Sequence, residues 1–450
     1  MLDPHRILPY CVSGQQNQLS YLTLWCGLSS ENENKREADA RTFKRLIFTT
    51  PWEEQKMRNG FRIVDIDTHV NPSYETLVKY LDPNARSRVA ELQPFVRTRN
   101  LDGTTTQVLH VAPYPFDRFP GEAPAEAKVM AGGKGALEAR VTRASSHHRV
   151  PPASGVQDEN VHGRIEDMNA EGRDLDFLIP GTWATAVSGL PDITLTEALY
   201  RSYHNYIAAY CQPYPSRLKS MVLVPGGDIE WAVREVKRLK NEPWVAAVWP
   251  LLPEGKPIDH PDLAPLWDVM NDAHLPIFFH SFFYEPPYFP GYRDIWGNAV
   301  VARTAAHPWG AARLLSYLIV GQIFDKYPNI NAGVAEVGHG WLPHWVIRLG
   351  EMIRYVSGAT PPLKYQPIEY VQMGRFRCGA EPFEGSAMTK AVIDILGPGV
   401  LMHQSDYPHG EAHFPDTAQM VLDWPIWNSL GRDVLQQHMA GNAEKFLRMA

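Results

Sequence analysis

Short apolar runs alternate with amphipathic segments from residue 62 to the C-terminus. In the segment 228–240, for example, Trp231, Val236 and Leu239 recur near the 3.6-residue period of a helix. Mostly apolar strands that alternate with such helices predict a parallel sheet covered by helices. The pattern predicts eight strands, at residues 62–70, 175–179, 220–225, 245–250, 276–281, 331–337, 375–380 and 400–406.

Eight strand–helix units are typical of an α/β protein of the (β/α)8 TIM-barrel type. Two segments interrupt the alternation. Residues 1–60 are rich in Gln, Asn, Ser and Glu, and we interpret them as an N-terminal extension. Residues 83–160 are rich in Pro, Gly and Ala, and they predict a long insertion between the first strand and its helix. The barrel domain is therefore predicted over residues 61–450, with the insertion above its mouth.

Composition narrows the classes of partner. Hydrophobic residues make up 44% of the 450 residues, and the net charge of −7 is spread without a basic block. This argues against nucleic acid and membrane surfaces, and favours a small-molecule substrate. The four cysteines are far apart and no signal peptide is evident, so we expect a reducing cytoplasm. The extension and the insertion could both serve a homo- or hetero-oligomer.

Carboxylates and imidazoles follow the predicted strands at their carboxyl ends. Asp67 and His69 end the first strand, His280 the fifth and Asp406 the eighth, while Glu336 lies near the end of the sixth. In a barrel these ends meet at one mouth, where active sites lie. Such a ligand set suits a divalent cation. Without a cation, several buried acids would repel one another or take up protons.

Two further histidines could enlarge this site. His307 lies in the helical run before the sixth strand, and His339 follows Glu336 by three residues. Together with Glu336 they could hold a second ion. The sequence therefore allows one or two ions, either zinc or the iron or manganese that dinuclear centres use.

Other polar residues near the mouth have a supporting place in this interpretation. Asp65 lies one pleat deeper than Asp67, so we expect it to support the ligands rather than bind. His403 precedes Asp406 by three residues and should face away from it, whereas His409 could partner Asp406. Recognition of a substrate carboxylate would need an arginine, and the candidates are Arg293, Arg303 and Arg377.

Three motifs carry a resemblance to a known family. "DIDTHVNP", "EVGHGWLPHWVIRLGEM" and "SDYPH", together with "FFHS", lie between residues 62 and 410. They resemble the amidohydrolase superfamily, in particular the amidohydrolase-related branch that contains aminocarboxymuconate-semialdehyde decarboxylase and the resorcylate-type decarboxylases. The resemblance implies Asp67, His69 and His280 as metal ligands. It also implies that Asp406 binds the metal and moves a proton.

The sequence departs from this branch at one position. The resemblance implies a histidine at the end of the sixth strand as the general acid or base of a decarboxylase, and here Glu336 occupies that place. Glu336 and His339 are therefore candidate catalytic residues together with Asp406.

Three functions remain open from the sequence. The first is a metal-dependent hydrolase or decarboxylase acting on a small carboxylate or amide. The second is a dinuclear monooxygenase, because a small offshoot of the superfamily that includes the 2-aminoisobutyrate hydroxylase, built from two related subunits, also resembles this chain. The third is a non-catalytic scaffold subunit of a hetero-oligomer.

Overall fold

The computed structural model of the chain describes residues 58–101, 104–109, 147–155, 159–181, 183–253, 256–282 and 299–449. They lie within one compact unit, Lys56–Ala450. The predicted extension therefore lies outside the described residues, apart from Arg58, Asn59 and Gly60. Within the described part of the chain, no helix is long and apolar enough to cross a membrane.

Eight parallel strands form one sheet, and the predicted barrel is confirmed. The barrel strands are hydrogen-bonded in the order β1-β4-β5-β6-β7-β8-β9-β10, so each lies beside the next barrel strand along the chain. The insertion contributes β2 and β3, which pair with each other in antiparallel fashion. The strands are β1 (Val64–Val70), β2 (Val96–Leu101), β3 (Thr104–Leu109), β4 (Leu175–Pro180), β5 (Leu218–Pro225), β6 (Val245–Leu251), β7 (Ile277–His280), β8 (Ala332–Ala335), β9 (Phe376–Ala380) and β10 (Leu401–His403).

The barrel closes between β1 and the residues that follow β10. Thr68 and Tyr407 form a parallel bridge. The amide of His69 donates to the carbonyl of Tyr407 at 2.6 Å, and the amide of Asp406 donates to the carbonyl of Asp67 at 2.9 Å. This closure places the end of the first barrel strand directly beside the segment after the last one.

Helices surround the sheet and bury their apolar faces on it. In the helix Ile229–Leu239, Trp231, Val236 and Leu239 are buried as predicted, and the Asp228 side chain caps its first turn by accepting from the Trp231 amide. The helices are α1 (Tyr74–Lys79), α2 (Val161–Glu171), α3 (Trp183–Val187), α4 (Ile193–Cys211), α5 (Ile229–Leu239), α6 (Ala264–Ala273), α7 (Ala299–Val320), α8 (Ile323–Lys326), α9 (Trp341–Tyr355), α10 (Pro367–Gln372), α11 (Gly385–Leu396), α12 (Thr417–Leu422), α13 (Trp427–Leu430), α14 (Arg432–Gln436) and α15 (Asn442–Phe446). Short 3-10 helices cover Pro83–Phe95, Pro261–Leu263 and Pro382–Glu384, and a π-helix covers Gln437–Gly441.

The last described part of the insertion returns to the barrel beside Asp406. The amide of His147 donates to Gly410 at 2.8 Å, and the amide of Arg149 donates to Phe414 at 2.9 Å. The Asp167 carboxylate accepts from the Ser154 amide at 2.9 Å and from the Tyr407 hydroxyl at 2.5 Å. This returning segment, residues 147–155, is thereby tied to the loop that carries Asp406.

A buried ionic network lies between α2 and the strands β1 and β4. Asp176 binds the guanidinium of Arg164 at 2.7 Å and that of Arg173 at 2.8 Å, and all three side chains are fully buried. Arg164 also donates to the backbone carbonyl of His69. The network therefore supports the strand that carries Asp67 and His69.

Asp176→Asn should destabilise the fold strongly, because it removes the carboxylate that two buried guanidinium groups share. The expected loss in the free energy of unfolding is about 3–5 kcal/mol, measured by urea unfolding. Asp394→Asn is the matched control, because Asp394 pairs with Lys390 at the surface, and it should leave the unfolding midpoint unchanged. Equal midpoints for the two variants would contradict this role of Asp176.

Two buried histidines on the far side of β10 predict acid sensitivity. His403 and His438 lie with ring centroids 6.5 Å apart, and their ring nitrogens make no hydrogen bond with the described residues. Burial, reinforced by Arg173, lowers the pKa of His403 to about 3. Below the ordinary histidine pKa of about 6.5, the unfolded chain therefore takes up a proton that the folded chain does not, and stability falls as pH drops towards 3.

His403→Phe should flatten this pH dependence, because the phenyl ring fills a similar volume and cannot be protonated. The difference in unfolding free energy between pH 7.5 and pH 5 should shrink by about 2 kcal/mol, measured by urea unfolding at both pH values. The exposed His344 provides the control variant His344→Gln. An unchanged pH dependence in His403→Phe would contradict the prediction.

Candidate metal centre

Four predicted ligands meet at the mouth of the barrel. Asp67 and His69 on β1, His280 at the end of β7 and Asp406 after β10 are all buried, and their ligand atoms lie within 4.8 Å of one another. His69 Nε2 is 2.9 Å from Asp406 Oδ1 and 3.3 Å from Asp67 Oδ1, and His280 Nε2 is also 3.3 Å from Asp67 Oδ1. The structure thus brings together residues from three different strands.

The polar atoms of this group are close but not aligned as hydrogen bonds. Both oxygens of Asp67, both ring nitrogens of His69, His280 Nε2 and Asp406 Oδ1 are buried without a hydrogen bond to any described residue. Buried polar atoms without a partner are rare, and each costs about 1–3 kcal/mol. Oxygen and nitrogen atoms that face one another in this way fit a divalent cation, which would bind one ligand atom of each residue.

The pKa values of the two imidazoles also favour a cation at this point. Burial disfavours protonation, but the adjacent Asp406 and Asp67 carboxylates raise the pKa of His69 to about 9. Against the same effect of burial, Asp67 and Glu336 raise the pKa of His280 to about 10. The carboxylates thus favour positive charge at this point. The protonated imidazoles supply that charge, and a bound cation would displace their protons.

Glu336 and His409 flank the four ligands. Glu336 Oε2 lies 3.0 Å from His280 Nε2, and His409 Nδ1 lies 2.8 Å from Asp406 Oδ1. The rings of His409 and His69 stack at 4.1 Å. His69, Glu336, Asp406 and His409 also form a second group whose ligand atoms lie within 4.8 Å of one another. The two groups share His69 and Asp406, so they describe one continuous centre.

The charge state of Asp406 follows from these neighbours. Burial alone would oppose its ionisation, but the positive charge of His409 and the adjacent imidazoles of His409 and His69 lower the pKa of Asp406 to about 2. An ionised carboxylate is the form that binds a cation. Asp406 is therefore in the protonation state of a ligand at neutral pH.

Three residues at this mouth have a left-handed backbone. Ser281, Glu336 and Asp406 have φ angles of 49°, 51° and 64°. Residues other than glycine rarely adopt this backbone conformation, and each instance costs on the order of 1–3 kcal/mol of folding free energy. Such outliers cluster at functional sites. Here they lie directly after β7, directly after β8 and three residues after β10.

Asp65 supports the centre from below. Its Oδ1 accepts from the Asp67 amide at 3.1 Å and from the Ser405 amide at 3.0 Å. Burial raises the pKa of Asp65 well above its ordinary value. Asp65 therefore joins the two chain segments that carry Asp67 and Asp406, in line with the supporting role expected from its position.

Two predicted histidines lie outside both groups of ligand atoms. His307 Nδ1 accepts from the Phe282 amide at 3.1 Å, so the neutral ring carries its proton on Nε2. His339 is fully buried, with Nδ1 2.9 Å from a Glu384 oxygen and Nε2 3.1 Å from the Thr389 hydroxyl. The structure therefore does not bring His339 to the cluster of ligand atoms.

The predicted arginines contribute little to the described site. Arg293 lies outside the described residues, as does the side chain of Arg303. Arg377 lies near the start of β9, at the opposite end of the barrel. Its guanidinium donates to the carbonyls of Gly374 at 2.7 Å and Gly399 at 3.1 Å.

Sequence reasoning missed one acid at the mouth. Glu381 directly follows β9, is only 4% exposed, and accepts from the Gly338 amide at 2.7 Å. Burial, together with the negative charges of Glu336, Asp406 and Asp67, raises the pKa of Glu381 to about 9. Its position one residue beyond a predicted strand was the available signal.

Comparison with known proteins places this geometry in context. The sequence profile of the family described as Amidohydrolase matches residues 146–449. The gamma-resorcylate decarboxylase of a Polaromonas species is 24% identical over 304 residues, which cover 64% of this chain and 86% of the relative.

Two solved structures share the fold. The 5-carboxyvanillate decarboxylase of Novosphingobium aromaticivorans, complexed with manganese and 4-hydroxy-3-methoxy-5-nitrobenzoic acid, has a TM-score of 0.59 at 19% identity, covering 88% of this chain and 98% of that one. A dihydroxybenzoic acid decarboxylase of a Polaromonas species, with manganese and the inhibitor 2-nitroresorcinol, has a TM-score of 0.57 at 16% identity, covering 86% and 97%. At these identities the structures establish the shared barrel.

His280→Ala should weaken Mn²⁺ binding by at least about 100-fold, because it removes one of the four predicted ligands. Isothermal titration with Mn²⁺ measures the affinity, and wild-type binding should release protons as the histidines give up theirs. His274→Asn is the control, because His274 is exposed and its left-handed backbone suits asparagine. Equal affinity in His280→Ala and wild type would exclude His280 as a ligand.

Proposed function

Because this chain belongs to the amidohydrolase family, we propose that it is a metal-dependent carboxy-lyase that removes the carboxyl group of a small aromatic acid. One observation carries the proposal: the buried, mutually facing ligand atoms of Asp67, His69, His280 and Asp406. The resemblance seen in the motifs and the names of the relatives support decarboxylation over hydrolysis, since the similar proteins are described as decarboxylases of aromatic acids.

We propose one ion, manganese in the first instance, held by these four residues. Its identity follows the manganese of the two similar structures. Since the second group of ligand atoms shares His69 and Asp406 with the first, we assign Glu336 and His409 to the flanks of a single ion. A bound divalent cation supplies Lewis-acid polarisation of a substrate oxygen.

The reaction needs one acid from the protein. Loss of carbon dioxide breaks the bond between the ring carbon and the carboxyl carbon, and the ring carbon keeps the electron pair and must take up a proton. Asp406 is poorly suited as the donor, because its lowered pKa keeps it ionised. We assign proton transfer to Glu336, which lies 3.0 Å from His280 and outside the four-ligand group.

An aromatic side chain lies beside the ligands. The Trp249 ring on β6 meets the His280 ring edge to face at 6.3 Å. Apolar aromatic surface next to a cation suits a substrate that is a flat ring with a carboxylate. This supports an aromatic acid over an aliphatic amide.

Location and assembly are part of the same proposal. The described cysteines, Cys211 and Cys378, are buried and form no disulfide bond, which suits a reducing cytoplasm. Apolar side chains are exposed on α9 and around the start of α11, including Ile347, Phe383 and Met388. Such a surface is compatible with an oligomer.

The two alternatives predict different observations. A scaffold subunit would have no reason to keep four buried ligands aligned at the cost of unpaired polar atoms. A dinuclear monooxygenase would bind two iron or manganese ions per chain and consume oxygen with its substrate. The relatives compared above give no support to an oxygenase.

Purified protein loaded with Mn²⁺ should release carbon dioxide from 2,6-dihydroxybenzoate (gamma-resorcylate) or 5-carboxyvanillate. The decrease in substrate absorbance measures this reaction. Glu336→Gln should lower kcat by about 10²–10⁴-fold, because the amide cannot transfer a proton, while Mn²⁺ still binds. Glu230→Gln, at an exposed position on α5, is the matched control.

Metal analysis and an oxygen electrode complete this test. One metal per chain and no oxygen uptake are expected. No turnover of a panel of hydroxylated aromatic acids by the metal-loaded protein would overturn the carboxy-lyase proposal. Two metals per chain with substrate-dependent oxygen uptake would replace it by the monooxygenase.

A further inference from the structure

The turn after β8 determines where Glu336 points. Glu336 and Gly338 both have a left-handed backbone, with φ angles of 51° and 67°. The turn then leads into α9 through His339 and Gly340. A glutamate in this conformation persists only where its surroundings hold it. What holds the turn therefore controls the residue to which we assign proton transfer.

Two carboxylates from the loop after β9 hold this turn. Glu381 Oε1 accepts from the Gly338 amide at 2.7 Å. Glu384 Oε2 accepts from the amides of His339 and Gly340, both at 2.8 Å. Three successive amides before α9 are thus bound by side chains of one neighbouring loop. Glu384 also pairs with the His339 ring, which assigns His339 to this anchor.

The turn packs closely against this loop. A Cβ atom added to Gly338 would lie 2.4 Å from Glu384 Oε1. On the other side, the indole of Trp341 donates to the Gly338 carbonyl at 3.1 Å, and the Cys378 thiol lies 3.2 Å from the same oxygen. Gly338 is therefore fixed through both its amide and its carbonyl.

Glu381 differs from Glu384 in its place in the barrel. His280 ends β7, Glu336 follows β8, Asp406 follows β10, and Asp67 lies on β1. Glu381 follows β9, between the strands of Glu336 and Asp406, so every strand from β7 round to β1 presents an acid or an imidazole at this mouth. The negative charges of Glu336, Asp406 and Asp67 all raise the pKa of Glu381, in keeping with this position.

We propose that Glu381 is a positioning residue for Glu336: through its hydrogen bond to Gly338 it holds the left-handed turn that directs the Glu336 carboxylate to His280. Glu381 acts through the turn and binds neither the metal ion nor the substrate. The kinetic part of this proposal rests on the proposed function, whereas the structural part does not.

Two substitutions separate this role from others. Glu381→Ala removes the acceptor for the Gly338 amide, and Glu381→Gln keeps a carbonyl oxygen as acceptor but cannot ionise. In hydrogen–deuterium exchange measured by mass spectrometry, Glu381→Ala should speed exchange in peptides covering residues 336–340 by about tenfold, as expected for one lost buried hydrogen bond. Glu381→Gln should exchange like wild type.

Kinetics with the Mn²⁺-loaded enzyme and 2,6-dihydroxybenzoate or 5-carboxyvanillate, whichever is turned over, provides the second readout. Glu381→Ala should lower kcat by about tenfold or more with KM changed less than about threefold, and Glu381→Gln should recover most of kcat. Mn²⁺ affinity should stay within about threefold of wild type in both variants. Lys390→Ala on the surface of α11 is the control, since Lys390 is partly exposed and pairs with Asp394 there.

Each contrary result has a distinct meaning. Unchanged exchange in Glu381→Ala would overturn the positioning role, whether or not the protein decarboxylates anything. If Glu381→Gln loses as much kcat as Glu381→Ala but keeps wild-type exchange, the carboxyl group itself takes part in the reaction. Loss of Mn²⁺ binding in both variants would make Glu381 part of the metal centre. A wild-type enzyme without turnover would overturn the proposed function and leave the exchange test valid.

Discussion

The closure of the barrel is the constraint on which the rest of this structure depends. Two backbone hydrogen bonds join β1 to the segment after β10, from His69 to Tyr407 and from Asp406 to Asp67. They place the ligands of the first and last barrel strands side by side. The Asp65 carboxylate reinforces the same junction, because it accepts from the amides of Asp67 and Ser405. Because the contacts that close the sheet also align the ligands, the centre is as rigid as the fold itself.

Charge is the second constraint at this mouth. Asp67 and Asp406 are buried beside Glu336, and the raised pKa values of His69 and His280 express how strongly these acids attract positive charge. A cation would supply that charge and bind one unpaired polar atom of each residue in the group. The left-handed backbones of Glu336 and Asp406 add strain at the same place. Unpaired atoms and strain are both unfavourable for stability alone, so their coincidence supports a functional centre.

The residue that follows β8 is where this chain differs from the decarboxylases that it resembles. The motifs imply a histidine after the sixth barrel strand, and this chain has Glu336 there, with His339 three residues later. In the structure His339 is turned to Glu384 and Thr389, and it anchors the start of α9. The presence of a glutamate instead of a histidine at this position is thus accompanied by a turn that two carboxylates hold in place. This arrangement explains how a glutamate can be presented to the centre from a position at which its backbone is strained.

The sequence by itself determined the barrel and the convergence of the four candidate ligands. Eight apolar strands with helices between them favour a parallel barrel, and parallel strands bring their carboxyl ends to one mouth, so Asp67, His69, His280 and Asp406 could be predicted to converge. The same rule, applied to the seventh strand, would have found Glu381. Only the tertiary structure decided the directions of side chains after the strands end. His339 turns away because Gly338 is left-handed and Glu384 binds the next amides, and the tautomer of His307 is set by the Phe282 amide. Such contacts join residues that are distant in sequence, and no local pattern encodes them.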